Sequence, residues 1–525
     1  MNEPLDLLVI GGGASGASVT YEAARRGLKV ALLEGSDLGC ATSCRSTKLL
    51  HGGVRYLELA FKTADPAQLR LVREALLERG HWLRQAPFLA NRLELALPTN
   101  GLIGQLYYRV GLGLYDALAG QSGIGSSRWL SKAQLQEALP DIKPGLNGGV
   151  AYSDGQFDDA RLNLLLALTA EQAGAQIHTG CRVVAFSKNQ SGRINGAISI
   201  NPNGQEQRWS AKAVVNATGL QADSIRQMAD PDLPSRMLTS RGVHLVLRAN
   251  LCPANMGLLL PSTDDGRVLF MLPFYGRTLV GTTDTACSLT TATTPSAEEQ
   301  TYLLHYVRRW FPQHRDLEVG SCWAGGRPLL KPAGGERSSS RVVREHDVER
   351  LPCGLVSVMG GKWTTCRPMA LDTLKAVAQQ LGQPLPAAQG LPLLGAAATP
   401  EHTTRQLQQQ QQRELLELLP DTPQRLTQIQ HLQGNFGLRA AALVSQWNAN
   451  ERRPLSDVIP ICCGELRHAV EAEHARSVTA VLARRCRLAM VDQGDAERLV
   501  PLVNDVLEAH QGAVPTGADV LNLAL

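Results

Sequence analysis

The 525-residue chain lacks the long apolar run of a membrane-spanning helix, since no stretch approaches about 18 uninterrupted apolar residues. It also lacks a basic segment followed by a long apolar segment before its first predicted strand, so we expect no secretory signal peptide. Its formal net charge is only +4, which does not require nucleic acid as a partner. We expect a cytoplasmic protein, or one at the cytoplasmic face of a membrane, with any membrane contact peripheral.

Regular cysteine spacing is missing as well. The 11 cysteines are an odd number without a repeated Cys-x-x-Cys pattern, so the sequence predicts neither a disulfide framework nor a metal site. This usage is typical of a reducing compartment. Hydrophobic residues make up 44% and charged residues 19%, a balance that predicts a globular protein, and the length predicts two or three domains.

The first 37 residues contain a pattern that is typical of dinucleotide binding. An apolar run over residues 5–10 predicts a buried parallel strand, a glycine-rich turn follows, and residues 14–26 predict a helix. A second apolar strand then ends in an acidic residue. Strand, turn, helix, strand and acid in this order are typical of dinucleotide binding. The residues concerned are Gly11, Gly13, Ala14, Ser15, Gly16 and Glu34.

Each part of this pattern has a physical role. Gly11 permits a tight turn, Gly13 lets the backbone approach a pyrophosphate, and Gly16 lets helix and strand pack closely. The N-terminus of the helix offers unpaired N–H groups to the phosphates. Glu34, at the end of the second strand, is placed to accept hydrogen bonds from ribose hydroxyls.

The rest of the chain predicts an interrupted first domain and at least one further domain. Apolar periodicity predicts a helix over 66–86, and two more strands, 176–184 and 213–219, fit the first sheet. Alternating apolar residues over 237–330 predict an antiparallel sheet in a second domain over the cofactor. A loop rich in alanine, proline and glycine then precedes a C-terminal region that we predict to be mostly helical.

Seven sequence blocks, in matching order, give the chain its resemblance to a known family. They are 48–58, 152–161, 216–219, 242–244, 281–284, 326–328 and 360–365, in addition to the N-terminal glycine motif. The chain resembles the FAD-dependent glycerol-3-phosphate dehydrogenases, the membrane-associated respiratory enzymes of bacteria and mitochondria.

This resemblance implies an α/β fold class, with a split FAD-binding Rossmann-type domain, an antiparallel-sheet substrate domain and a helical C-terminal domain. It divides the chain into several segments. The FAD-binding domain would take 1–80, 151–235 and 346–385, a substrate or cap segment 81–150, the antiparallel-sheet substrate domain 236–345, and the C-terminal helical domain 400–525.

The resemblance also implies an activity, namely oxidation of sn-glycerol 3-phosphate to dihydroxyacetone phosphate by hydride transfer to FAD, with the electrons passed to a membrane quinone. Three alternatives stay open. One is a glycerol-3-phosphate oxidase that gives its electrons to oxygen, another is an amine or amino-acid oxidase of the same fold, and the third is a non-catalytic dinucleotide-binding protein. The oligomeric state, a homodimer included, is also open.

A phosphorylated substrate needs cationic donors for its dianion, and arginine suits this task because its planar fork binds phosphate oxygens in pairs. The candidates for substrate binding are Arg55, Arg327 and Arg344, with Tyr56 as a hydroxyl donor. A surface position or a structural ion pair is the alternative for the arginines, and an ordinary core aromatic is the alternative for Tyr56.

Oxidation of the alcohol also needs a base and a stabilising charge. His51 and His244 are the two candidates for the base, and a satisfied structural histidine is the alternative reading of each. Lys362 follows two glycines and is placed to stabilise negative charge as the hydride is accepted. With Arg327, these three residues are the predicted catalytic group.

Further residues, most of them small, complete the predicted FAD site, although small residues also fit tight turns. They act as loop donors, allow close approach of the backbone, or offer N–H groups at a helix start. These residues are Thr42, Ser43, Ser46, Val183, Ala217, Gly219, Gly361, Lys362 and Thr364.

Finally, Arg484, Arg485 and Arg487 belong to a basic amphipathic stretch that begins near residue 465. We expect a solvated helix face there, or a contact with a membrane or a partner subunit.

Overall fold

The computed structural model describes residues 4–54, 66–261, 263–331, 345–511 and 520–523. The predictions for Arg55, Tyr56 and Arg344 lie outside the described residues. Strands and helices are numbered here in chain order. The strands are β1 (Leu5–Ile10), β2 (Val30–Leu33), β3 (Leu49–Leu50), β4 (Ala90–Pro98), β5 (Arg128–Leu130), β6 (Gly149–Phe157), β7 (Gln176–His178), β8 (Arg182–Lys188), β9 (Ile194–Ile200), β10 (Glu206–Asn216), β11 (Met237–Leu247), β12 (Met256–Leu260), β13 (Leu269–Phe274), β14 (Arg277–Gly281), β15 (Thr285–Ala286), β16 (Val319–Leu330), β17 (His346–Arg350) and β18 (Leu355–Gly360).

The helices are concentrated around the first sheet and in the C-terminal third. Two segments have π-helical geometry, Leu407–Gln411 and Ala480–Arg485. The α-helices are α1 (Ala14–Ala24), α2 (Pro66–Gln85), α3 (Leu102–Ala119), α4 (Lys132–Ala138), α5 (Asp159–Gln172), α6 (Ala222–Ala229), α7 (Ala297–Trp310), α8 (Cys366–Leu381), α9 (Pro400–Gln406), α10 (Gln412–Leu418), α11 (Arg425–Phe436), α12 (Ala440–Ser445), α13 (Cys463–Ala472), α14 (Leu488–Val491), α15 (Gln493–Arg498) and α16 (Val500–Gln511).

The first sheet has the order β17-β18-β10-β1-β2-β7 within the described residues, with β9 on β10 and β8 on β9. Strands β18, β10, β1, β2 and β7 run parallel. Strand β1 is apolar because both of its faces are covered. Leu7 and Val9 pack with helices α1, α5 and α8, and Leu8 and Ile10 pack with β8, β9 and α6. The single strand predicted over 176–184 is instead two strands, since Gly180, with φ +69°, turns the chain from β7 to β8.

The second sheet is mostly antiparallel and has the order β15-β11-β14-β13-β12-β4-β6-β3, with β16 on β11 and β5 on β6. Strands β11 and β16 pair over nearly their whole length. Strands from the first third of the chain complete this sheet, so the predicted boundary between 150 and 151 falls inside β6. The division of the chain into exact domains stays a prediction.

The prediction that Arg484, Arg485 and Arg487 lie on a solvated or membrane-facing helix face is wrong. Arg484 and Arg485 are buried and pair with Asp37, which follows β2. Arg487 is buried as well and pairs with Asp158 and Asp159 at the start of α5. Buried arginines need such partners because an unpaired charge is costly away from water. The C-terminal helices are therefore fixed to the FAD-binding unit by ion pairs that sequence spacing does not reveal.

The predicted fold class is confirmed, since a helix-flanked and mostly parallel sheet, a mostly antiparallel second sheet and a helical C-terminal part are all present. In the described part of the chain, none of the helices is both long and apolar enough to cross a bilayer.

Candidate active site

The glycine turn sits between the ends of β1 and β10. A Cβ on Gly16 would overlap the carbonyl oxygen of Gly11, and a Cβ on Gly11 would lie 2.7 Å from the carbonyl oxygen of Ala217. Gly11 also has φ +104°, a conformation that favours glycine. A Cβ on Gly13, by contrast, would meet only the hydroxyl of Ser43, at 3.0 Å. The turn therefore packs tightly on the protein side and leaves space beside Gly13.

Polar side chains of Glu34 and Asn163 lie around this turn. Glu34 accepts hydrogen bonds from the N–H groups of Gly12 (2.6 Å) and Ser36 (2.8 Å). Burial raises the pKa of the Glu34 carboxyl. The amide of Asn163 donates to the carbonyl of Gly12, while its Oδ1 is buried without a partner in the described part of the chain. This donor set and the open space beside the glycine turn fit the dinucleotide of FAD.

The loop after β2 joins both sheets at this point. The Ser43 hydroxyl accepts from the N–H of Ala14 at 2.9 Å, and the Thr42 hydroxyl donates to the carbonyl of Gly326 at 2.6 Å. The indole of Trp363 donates to the carbonyl of Ser43 at 2.9 Å. Thr42 and Ser43 thus lie where the glycine turn, β16 and the segment after β18 meet.

The other predicted FAD residues take different places. The Ser46 hydroxyl donates to Asp159, so its proton serves a buried ion cluster. Gly361 (φ +85°) and Gly219 (φ +56°) lie at backbone turns. Val183 is buried on β8, two residues after Cys181, whose N–H donates to the carbonyl of Glu34. Lys362 precedes the short helical turn Trp363–Thr365, in which Thr364 is buried.

His244 is buried on β11, and its register sets its surroundings. It lies opposite Trp323 of β16 and opposite Gly281 of β14. Its ring stacks on the Trp323 indole and fits against Gly281, where a Cβ would collide with it. Its Nε2 is 3.0 Å from the Thr47 hydroxyl, whereas Nδ1 is buried without a partner among the described residues.

Burial, followed by the charges of Lys48 and Arg327, lowers the pKa of His244 well below its ordinary value. A neutral imidazole at neutral pH is able to accept a proton.

Arg327 lies on the same face of the second sheet as His244. It is opposite Ser240 in the register, and alternate residues of β11 share one face. Its guanidinium occupies the space over Gly242 and donates to the Thr282 hydroxyl (3.1 Å) and the Thr283 carbonyl (2.9 Å). A longer contact of 3.4 Å joins it to Asp284. These groups fix the orientation of the guanidinium beside the imidazole.

Lys48 is a neighbour of this site that sequence reasoning missed. It is fully buried, and its Nζ donates to Asp159 (2.7 Å) and to the Cys44 carbonyl (2.8 Å). The same ammonium lies 4.5 Å from the centroid of the Trp323 ring. Burial lowers its pKa to about 8. Lys48 is the first residue of the family block 48–58, but the sequence alone does not distinguish a buried lysine from an exposed one.

His51 follows directly after β3, four residues beyond Thr47, and is half-buried. The structure therefore brings His244, Arg327, Thr42 and Ser43 to one region. The segment that carries Thr47, the partner of His244, continues through β3 to His51.

Comparison with known proteins agrees with this geometry. Residues 6–365 match the family described as FAD dependent oxidoreductase, and residues 387–514 match the C-terminal domain of alpha-glycerophosphate oxidase. The mitochondrial glycerol-3-phosphate dehydrogenase of Arabidopsis thaliana is 38% identical over 97% of this chain and 83% of its own. The corresponding Homo sapiens protein is 37% identical over 96% of this chain and 70% of its own. A solved glycerol-3-phosphate dehydrogenase from Bacillus halodurans, complexed with FAD, has a TM-score of 0.74 and 25% identity, covering 97% of this chain and 91% of that one.

The fold and the site define a member of the FAD-dependent oxidoreductases, and FAD is its cofactor, as the sequence predicts. Since two-domain relatives of this similarity match nearly the whole chain, the protein belongs to the glycerol-3-phosphate dehydrogenase family.

Proposed function

We propose that the protein oxidises sn-glycerol 3-phosphate to dihydroxyacetone phosphate. The observation that carries this proposal is the pair formed by Arg327 and His244 on one face of the second sheet, with a neutral base beside a fixed cation. A planar guanidinium suits a phosphate dianion, and a neutral imidazole suits a hydroxyl proton. A substrate that carries both a phosphate and a secondary hydroxyl suits this pair.

In this proposal each residue has one task. Arg327 holds the phosphate, with Arg55 and Arg344 as further candidates and Tyr56 as a hydroxyl donor. His244 is the candidate that accepts the hydroxyl proton, and the Thr47 hydroxyl at Nε2 fixes its ring. His51 is the alternative base. When bound, FAD supplies the hydride acceptor and the carrier through which two electrons reach a membrane quinone.

Lys362 contributes positive charge at the start of the turn that follows β18. The remaining cofactor residues hold the dinucleotide through backbone N–H groups and hydroxyls. They are Gly11, Gly13, Ala14, Ser15, Gly16, Glu34, Thr42, Ser43, Val183, Ala217, Gly219, Gly361 and Thr364, whereas the N–H and the hydroxyl of Ser46 both donate to Asp159.

Helix α3 supports peripheral attachment to a membrane and thus a quinone as the electron acceptor. Its 18 residues contain only two charged side chains, Arg109 and Asp116. One face carries exposed large apolar residues, which include Leu102 (82% exposed) and Ile103 (88% exposed), and they recur at helical spacing. The full set on this face is Leu102, Ile103, Leu106, Tyr107, Val110 and Leu114.

We assign a lipid surface to this face. Trp129, on β5 beside α3, is 47% exposed, and Tyr107 is exposed on the helix itself. Tryptophan and tyrosine favour the boundary between lipid and water. A helix of this kind lies in the interface rather than crossing it. Quinones dissolve in the bilayer, so docking on α3 would bring the protein to its acceptor.

The proposal is tested by anaerobic mixing of the holoprotein with sn-glycerol 3-phosphate, followed by addition of a short-chain quinone or of oxygen. We expect the visible flavin absorbance to bleach in proportion to dihydroxyacetone phosphate formed, and to return rapidly only with the quinone. Rapid return with oxygen would instead identify an oxidase. Absence of bleaching would contradict the proposed substrate.

A further inference from the structure

The loop that carries His51 forms a hydrogen bond with a buried tyrosine. The N–H of Gly52 donates to the hydroxyl of Tyr115 at 2.7 Å, and both residues are buried. A Cβ on Gly52 would lie 2.7 Å from Leu76 and 2.9 Å from the Tyr115 ring. The loop is therefore pressed directly onto α2 and α3.

The Tyr115 hydroxyl is itself fixed by a second pair of residues. Because it accepts from Gly52, its own proton points to Asp154, and it donates to Oδ1 of that carboxylate at 2.9 Å. Arg79 donates to the same oxygen at 2.8 Å and to the carbonyl of Ser153 at 3.1 Å. Because the Asp154 carboxylate accepts hydrogen bonds from both Arg79 and Tyr115, it fixes the orientation of the Tyr115 hydroxyl.

Strand pairing places this group next to the start of the same loop. Asp154 is on β6, and its neighbours Gly155 and Gln156 pair with Leu50 and Leu49 of β3. The segment that leads into His51 is thus held by β6 before the histidine and by Tyr115 after it. The Gly52 hydrogen bond is therefore one of the contacts that restrain the backbone next to His51.

We infer that Tyr115 is a positioning residue for His51, acting through the N–H of Gly52. Tyr115 is on α3, whose opposite face carries the exposed apolar residues, so the helix assigned to the lipid surface also supports the substrate loop. The inference deepens the proposed function, since it rests on the placement of His51 in the substrate site.

The test uses the full-length holoprotein without vesicles and the variant Tyr115→Phe, which keeps the ring and removes the hydroxyl. We expect amide hydrogen exchange in residues 49–54 to accelerate about ten-fold, as for the loss of one net hydrogen bond. We also expect kcat/KM for sn-glycerol 3-phosphate to fall roughly ten-fold with flavin content unchanged.

The matched control is Tyr152→Phe. Tyr152 is buried against Tyr115 with ring centroids 6.0 Å apart, yet among the described residues its hydroxyl bonds neither Gly52 nor Asp154. The second variant, Arg79→Lys, keeps Tyr115 and the positive charge beside Asp154 but loses the guanidinium that orients this carboxylate. If Tyr115→Phe does not fold, exchange in Arg79→Lys should accelerate in the same direction.

Equal exchange in Tyr115→Phe and Tyr152→Phe would overturn the inference. Faster exchange in Tyr115→Phe without any loss of kcat/KM would keep the loop contact and remove His51 from the proposed function. The two failures are therefore distinguishable.

Discussion

His244 stacks on Trp323 with 4.4 Å between the ring centroids and 22° between the ring planes. The ammonium of Lys48 lies against the same indole, and the guanidinium of Arg327 lies on the same sheet face as the imidazole. Beyond these two cations are their carboxylate partners, Asp159 and Asp284. Both cations lower the pKa of the His244 imidazole.

This arrangement predicts a pH dependence. His244 must be neutral to accept a proton, and burial with the two cations keeps its pKa below the ordinary 6.5. The rate of substrate oxidation should therefore persist on the acid side of pH 6.5 and fall only as His244 becomes protonated. Removing a cation raises that pKa, so Lys48→Met should move the acid limb of the kcat/KM profile to higher pH.

The control for Lys48→Met is Lys143→Met, since Lys143 also lies over an indole, that of Trp310, but away from the site. Lys48→Arg should keep the wild-type profile more closely than Lys48→Met because it retains the charge. An acid limb that stays in place in Lys48→Met would show that Lys48 does not influence the base.

The glycine turn predicts a clean separation between cofactor binding and folding. Gly13→Val places its side chain in the space beside the turn, where only the Ser43 hydroxyl lies near. We expect a folded protein that is purified with little FAD and melts like wild-type apoprotein. Gly390→Val, at a position with no neighbouring atom within 4 Å, should keep its flavin. Full flavin absorbance in Gly13→Val would contradict the assignment of the pyrophosphate to this turn.

The exposed face of α3 predicts lipid binding that a single charge can abolish. Leu106→Glu should prevent co-sedimentation with phospholipid vesicles and leave oxidation with a soluble dye acceptor unchanged, because charged side chains are unfavourable in the lipid boundary. Leu426 is a matched control, since it is 59% exposed on α11 and Leu106 is 58% exposed. Equal vesicle binding by Leu106→Glu and Leu426→Glu would remove α3 from the membrane contact.

The buried pair of Arg161 and Glu473 predicts a strong stability effect. The two hydrogen bonds between them are 2.6 and 2.7 Å long, and both side chains are almost fully buried. Glu473→Gln leaves the guanidinium without its counter-charge, which costs about 3–5 kcal/mol for such pairs. A marked fall in melting temperature should follow.

The exposed pair of Arg208 and Glu206 provides the comparison for this effect. Glu206→Gln should change stability by at most about 1 kcal/mol because solvent screens the pair. Similar melting temperatures for Glu473→Gln and Glu206→Gln would show that the buried pair does not hold the C-terminal part in place.

Periodic patterns made much of the fold predictable. The helices predicted over 14–26 and 66–86 are observed as α1 and α2, and the alternating residues over 237–330 belong to the second sheet. These elements follow from local spacing of apolar residues. Membership of β4 and β6 in that sheet depends on pairing between distant segments, which local spacing does not encode.

The candidate site was predictable where a residue type has few alternative uses. Gly11 and Gly16 of the first turn are explained by the collisions that a Cβ would cause at these positions. Lys48 and Arg487 were not predictable, because their carboxylate partner Asp159 is more than 100 residues away from either one. The exposed face of α3 was also missed, although its apolar spacing is visible once the helix is located.

The most direct measurement compares Arg327→Ala with wild type on sn-glycerol 3-phosphate and on glycerol. A hydrogen bond to a charged group is worth about 1.5–3 kcal/mol, so kcat/KM for the phosphorylated substrate should fall roughly ten- to a few-hundred-fold. Arg327→Lys should recover part of the loss, since it keeps the charge without the planar fork. Flavin content should stay normal.

Arg241→Ala is the control from the neighbouring strand β11, because Arg241 forms its ion pair with Glu299. The account predicts that any activity of Arg327→Ala toward glycerol falls far less than its activity toward sn-glycerol 3-phosphate. Equal losses on both substrates would contradict it, because Arg327 would then serve the hydride step or the fold and not the phosphate.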